Sequence, residues 1–126
     1  MNNDMEVEDL KVIHEDKDIL VVIKPPGVSS QSDKSLDKSM LDIVTEYLKK
    51  NAEEKSKKQN SKEPYVGLVH RLDKPVGGMM VFAKNHNALK SLNKDMQEGK
   101  FEKKYIAVSC GEIPLNEEII ENYMKK

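Results

Sequence analysis

The stretch VGLVHRLDKPVGGMMVFAKN, residues 66–85, sets a polar loop between two apolar runs. Val66-Gly67-Leu68-Val69 leads in and Met79-Met80-Val81-Phe82-Ala83 leads out. Each reads as a buried strand, the first over 65–70 and the second over 79–84. The link between them is unusual. Asp73 suits the first place of a β-turn over Asp73-Lys74-Pro75-Val76, but Pro75 in the third place forces Lys74 out of the α region. The loop is therefore not expected to be a simple hairpin turn. Gly77-Gly78 supplies backbone freedom, either for positive φ or for the close approach of another group. Such a loop holds Asp73 at a sheet edge facing a cleft.

Working outward, Ile19–Ile23 is a five-residue apolar run rich in β-branched residues, stopped by Lys24-Pro25-Pro26-Gly27. Two prolines in a row cannot continue a ladder, so the chain leaves the sheet there. Val12-Ile13 forms a short strand before it, with a turn at Glu15-Asp16-Lys17-Asp18. Leu36, Met40, Ile43, Val44, Tyr47 and Leu48 fall at helical spacing and predict a helix over 36–50. Residues 51–64 hold one apolar residue, Ala52, and read as a mobile polar loop or a frayed extension of that helix. Ala88, Leu89, Leu92 and Met96 predict a helix over 86–98, stopped by Gly99. The stretch KKYIAVSCG, residues 103–111, reads as a further strand. Asn116 then caps a final short helix carrying Ile119, Ile120, Tyr123 and Met124 on one face. Residues 1–9 are polar and are expected to be flexible. The order of elements gives an α+β fold with a mostly antiparallel or mixed sheet and flanking helices.

The chain has 126 residues, enough for one lean domain, with a net charge of −1. That balance argues weakly against a nucleic-acid partner, but the distribution is uneven. Residues 1–20 hold seven acids against two lysines, while residues 84–104 hold six lysines against three acids. The basic middle either attracts phosphate or is simply a set of solvated helix faces. The single cysteine, Cys110, cannot form an internal disulfide and reads as a small buried residue at a strand end. The absence of a signal peptide and of any long apolar run points to the cytoplasm, with no membrane contact. His14, His70 and His86 are far apart in sequence, which offers no metal-ligand spacing. No Gly-rich phosphate loop follows the first strand.

One carboxylate on such a loop suits a limited chemistry. A glycosidase needs two, and nothing nominates the second. A single ionised Asp73 can stabilise, or covalently trap, positive charge developing at a sugar anomeric carbon. Arg71 would then either hold Asp73 ionised or grip a phosphate. The plainer alternative is a turn-capping Asp paired with a neighbouring cation.

The stretch GLVHRLDKPVGGMMVFAKN resembles the signature of the RluA-type pseudouridine synthases, His-Arg-Leu-Asp followed by Gly and a "vFAK" strand. VIHEDKDILVVIKPPGV is similar to that family's opening strand and Lys-Pro-x-Gly segment. LNKDMQEGKFEKKYIAVSCGEI is similar to its helix and Lys-x-Tyr strand. The resemblance covers residues 10–126, with 51–64 unassigned, and implies the N-terminal part of a pseudouridine synthase catalytic domain. It implies isomerisation of uridine to pseudouridine in ribosomal or transfer RNA, with no metal or organic cofactor. By the same resemblance, Asp73 is the catalytic carboxylate and Tyr105 the ring that stacks on the target base. Arg71, His70, Lys24 and Lys74 are the candidate RNA contacts. For Tyr105, the residues alone favour an ordinary core aromatic on a strand, and the resemblance reverses that reading.

Two departures from the family pattern stand out. Thr-Ser-Gly is replaced here by Val76-Gly77-Gly78. A later Arg-x-His-Gln-Ile-Arg segment, whose basic group pairs with the catalytic Asp, does not occur in this sequence. The chain is therefore expected to be incomplete at its C-terminus, with a poorly active Asp73 and a tendency to self-associate through an exposed sheet edge. The alternative reading is an inactive fragment that at most binds RNA or a partner.

Overall fold

A computed structural model describes residues 5–56, 62–112, 119, 121–123 and 125. Four strands, β1 (Lys11–Glu15), β2 (Ile19–Lys24), β3 (Gly67–Leu68) and β4 (Gly78–Ala83), form one antiparallel sheet in the order β1-β2-β4-β3. Helices α1 (Met40–Ser56) and α2 (His86–Gln97) lie on opposite faces of it. The α+β architecture with an antiparallel sheet and flanking helices is the one the sequence predicts. No described helix is long and apolar enough to cross a membrane.

The alternation of strand side chains explains the two layers. From β2 and β4, Leu20, Val22, Met80 and Phe82 point to one face, are fully buried, and pack with Met40, Ile43, Val44 and Leu48 of α1. Each such side chain contributes about 1.5–3 kcal/mol of burial. Ile19, Val21, Val81 and Ala83 point to the other face and pack with Ala88, Leu89, Leu92 and Met96 of α2. The continuous apolar run at 19–23 is thus explained: β2 is covered on both sides.

Local chemistry sets the ends of the elements. The β1–β2 turn is closed by Asp16, whose carboxylate accepts from the Asp18 and Ile19 N–H groups, both at 2.8 Å. Helix α1 starts at Met40, not at 36. Ser39 and Asp42 cap it reciprocally, with Ser39 N–H donating to the Asp42 carboxylate at 2.9 Å and Asp42 N–H to Ser39 Oγ at 3.3 Å. Leu36, expected on its apolar face, is instead fully exposed. The helix runs on to Ser56, so of the two readings of residues 51–64 the extension of the helix holds over 51–56; residues 57–61 lie outside the described residues. Asn85 caps α2 by accepting from Ala88 N–H. Beyond the helix, Gly99 adopts φ 69°, the left-handed stop foreseen for it.

Three further expectations are corrected. Residues 5–9 are not frayed: Met5 and Val7 are buried in the α1-side core, and Val7–Asp9 forms a single 3-10 turn. Residues 103–111 form no strand. Tyr105, Ile106 and Val108 are 62, 100 and 98% exposed, so the apolar run packs on nothing within the described residues. Cys110, expected to be buried, is exposed with them. Of the helix expected from Asn116, residues 113–118, 120 and 124 lie outside the described residues.

Candidate active site

Asp73 stands in the link between β3 and β4, and its neighbours are fixed from both sides by the segment that follows β2. On the upstream side, the buried Ser30 hydroxyl donates to Leu72 O at 2.6 Å and accepts from Leu72 N–H at 2.9 Å. One hydroxyl thereby completes both backbone groups of Leu72, whose side chain is sunk in the core. On the downstream side, Lys24 Nζ donates to Lys74 O at 3.0 Å, and also to Val28 O at 2.6 Å and Pro25 O at 3.1 Å. Gly27 N–H donates to the same Lys74 carbonyl at 2.7 Å. Gly27 has φ 93°, which the tight return after Pro25-Pro26 requires. Gly77 lies against this return: a Cβ there would come within 2.9 Å of Pro26 Cδ. Any side chain at 77 would push the two loops apart.

Held this way, residues 71–73 alternate as extended chain does, with Leu72 buried and Arg71 and Asp73 exposed. A hydrogen-bonded turn follows, Val76 N–H donating to Asp73 O at 2.9 Å, with all peptides trans. A β-turn over Asp73–Val76, disfavoured on sequence grounds, therefore does form. The anchors on Lys74 O hold the backbone where Pro75 alone would disfavour it.

Arg71, Asp73 and Lys74 line one open cleft of about 580 Å³, together with residues 29–33, His70, Leu72, Met96 and Lys103. Neither the Asp73 carboxylate nor the Arg71 guanidinium forms a hydrogen bond or ion pair with a described side chain. The simple turn-capping Asp paired with a cation is therefore not what this loop contains. Arg71 is left free for another anion rather than holding Asp73. The Lys74 ammonium lies 3.7 Å from Asp37. A second open groove of about 690 Å³ runs between α1 and residues 63–66. It shares no lining residue with the Asp73 cleft, and its Asp42 and Glu46 are taken up by Ser39 and by Lys38.

Two residues expected to touch RNA are bonded to the backbone. Lys24 has no exposed surface, and all three of its ammonium donors are spent on carbonyls. It is a buried pin. Burial pulls its pKa below the usual lysine range, and the charge of Asp73 opposes that shift, so the two groups are electrostatically linked through the loop. His70 is half-buried on the cleft wall, its ring 5.7 Å from that of Phe101. Its Nε2 accepts from Val81 N–H at 3.1 Å, which places the ring proton on Nδ1. The imidazole thus takes the β4 donor that a longer β3 would have bonded, and β3 ends at Leu68 instead of 70.

Burial first, and the Lys103 charge second, lower the pKa of His70. The unfolded chain gains this proton near pH 6.5, while the folded chain gains it only at lower pH. Stability from this group is full above about pH 6.5 and is lost as pH falls through the folded-state value. Thermal melts across that window should show the fall in the native chain and a weaker one in His70→Gln. Equal slopes would contradict the buried neutral imidazole.

Tyr105 is not brought to the cleft wall; Lys103, two residues before it, is. Lys103 and Ser30 are the site residues that sequence reasoning missed. No periodic signal separates Ser30 from Ser29, because its partner is 42 positions away. Among the described residues, no three His, Cys, Asp or Glu side chains gather as metal ligands would.

Comparison with known proteins bears on the family and the fold. The family model described as RNA pseudouridylate synthase matches residues 18–126. The chain is 31% identical over 105 residues to a ribosomal large subunit pseudouridine synthase C of Buchnera aphidicola, covering 83% of this chain and 30% of that one. It is 34% identical over 108 residues to a ribosomal large subunit pseudouridine synthase D of Pasteurella multocida, covering 81% of this chain and 29% of that one. Among solved structures, human RNA Pseudouridylate Synthase Domain Containing 4 shares the fold, with a TM-score of 0.55 at 22% identity over 71% of this chain and 30% of the human one. This chain belongs to the RNA pseudouridylate synthase family. It spans about 30% of the length of the curated relatives it matches.

Proposed function

We propose that this chain carries the catalytic carboxylate of an enzyme that isomerises uridine to pseudouridine in ribosomal or transfer RNA. The observation that supports the reading best is Asp73 itself: its backbone is pinned on both sides, yet among the described residues its carboxylate has no side-chain partner in an open cleft. A uridine drawn out of its stack into the cleft presents its ribose to Asp73. The carboxylate attacks C1′ or removes a ribose proton as the N1–C1′ bond breaks. The uracil turns and rejoins through C5, displacing the Asp73 carboxylate from C1′ or recovering the ribose proton from it; the C5 hydrogen leaves to solvent and N1 takes up a proton. Tyr105 would stack on the base once residues 102–109 close over the cleft. Release of tritium from RNA labelled at uracil C5 tests the reading, since only the new C5–C1′ bond expels that atom. The lone cysteine and the RNA substrate fit a reducing, cytoplasmic compartment.

A second reading, binding without turnover, is favoured by one observation: Tyr105 is 62% exposed and outside the cleft lining. Under that reading, RNA binds and no tritium is released.

The bare run at Tyr105, Ile106 and Val108 supports self-association as well. β-Branched residues without a sheet partner are ready to pair with another chain. Sedimentation should show a weight-average mass that rises with concentration and flattens in Ile106→Lys. A monomer at all concentrations would remove this part of the proposal.

A further inference from the structure

The cleft poses an electrostatic problem: it must bring a polyanion to a carboxylate. Asp33 and Asp73 both line it, and a phosphodiester is repelled by each. The cations nearby are mostly engaged. Lys74 faces Asp37, Lys94 pairs with Glu98 at 3.8 Å, Lys100 pairs with Glu98 and Asp95, and Lys104 pairs with Glu102 at 3.4 Å. Two cleft cations have no acidic partner among the described residues, Arg71 and Lys103. They come to the cleft from separate segments, one from the β3–β4 link and one from the stretch after α2. The charge of Lys103 is felt inside the wall, at His70.

We propose that Lys103 is a substrate-binding residue that forms, with Arg71, a two-cation clamp on successive phosphates of a single RNA strand. This inference rests on reading the cleft as an RNA site. The guanidinium offers a planar fork to one phosphate and the ammonium a point charge to the next. Asp73 lies in the same cleft, where the ribose between the gripped phosphates would meet it. The positive charge of the clamp offsets the repulsion between Asp73 and the phosphates.

The test is the salt dependence of binding of a labelled single-stranded oligouridine to the full 126-residue chain. Removing a cation that neutralises one phosphate should lower the slope of log K against log salt by about 0.7. Arg71→Gln and Lys103→Gln should each show this decrease, and Lys103→Arg should restore the native slope. Lys90→Gln removes the same charge from an exposed position of α2 outside the cleft and should leave the slope unchanged. A native slope in Lys103→Gln, or an equal decrease in Lys90→Gln, would overturn the clamp while leaving RNA binding intact. If the native chain binds no oligouridine, the RNA reading falls and the clamp with it.

Discussion

Asp73→Asn is expected to lower tritium release by about 10²–10⁴-fold, the range for removing a carboxylate that acts on the reacting atoms. The substitution is nearly isosteric, and the lost charge makes no ion pair with a described residue. The melting temperature should therefore fall only slightly, through loss of the charge that favours the buried Lys24 ammonium, and RNA affinity should hold or rise as a repulsive charge disappears. That combination separates catalysis from structure. A variant that melts early would mean that Asp73 has a structural partner after all. Unchanged turnover would remove it from the chemistry. The native rate itself is expected to be slow, because no described cation pairs directly with Asp73, and a carboxylate working in a partly dry pocket needs charge compensation.

The second large effect is expected at Lys24. Lys24→Met keeps most of the buried stem but deletes the ammonium that joins Pro25, Val28 and Lys74. The Lys74 carbonyl retains Gly27 N–H, while the Pro25 and Val28 carbonyls lose this donor. A loss of about 2–3 kcal/mol follows from orphaned buried acceptors. In a domain of this size, that corresponds to roughly 10–20 °C in Tm. Lys24→Arg should not rescue it, since a site with no exposed surface has no room for the larger fork. Turnover measured well below the melting transition should fall further than stability alone explains, because the same pin sets where Asp73 points. A melting temperature within about 2–3 °C of native, small on the same scale, would show that the loop is held by something else.

How much of the fold and site is legible in the sequence depends on how local the cause is. β2 and β4 are strong apolar runs bounded by breakers, and their positions follow directly. Helix α2 announces itself through its apolar spacing and its terminal glycine. The loop carrying Asp73 is legible for the same reason: a charged triplet and two glycines between two core runs need an explanation. The start of α1 is harder to place because Leu36 fits the helical spacing, and the Ser39–Asp42 cap overrides it. The early end of β3 is hidden because a side chain, His70, does the work of a strand carbonyl. The role of Lys24 is hidden because lysine is rarely buried, and its burial depends on three carbonyls supplied by loops up to 50 positions away. Residues 103–111 have the composition of a strand, but composition cannot supply a partner edge.

The central question is whether the carboxylate in the middle of this loop acts on a uridine in RNA. A single-turnover experiment asks this most directly, with the chain in excess over an RNA labelled at uracil C5. Excess protein removes any dependence on product release or repeated cycling. The predicted result is a slow, time-dependent release of tritium that is absent in Asp73→Asn and matched by pseudouridine in the digested RNA. Bound RNA with no tritium released above the protein-free control would contradict it.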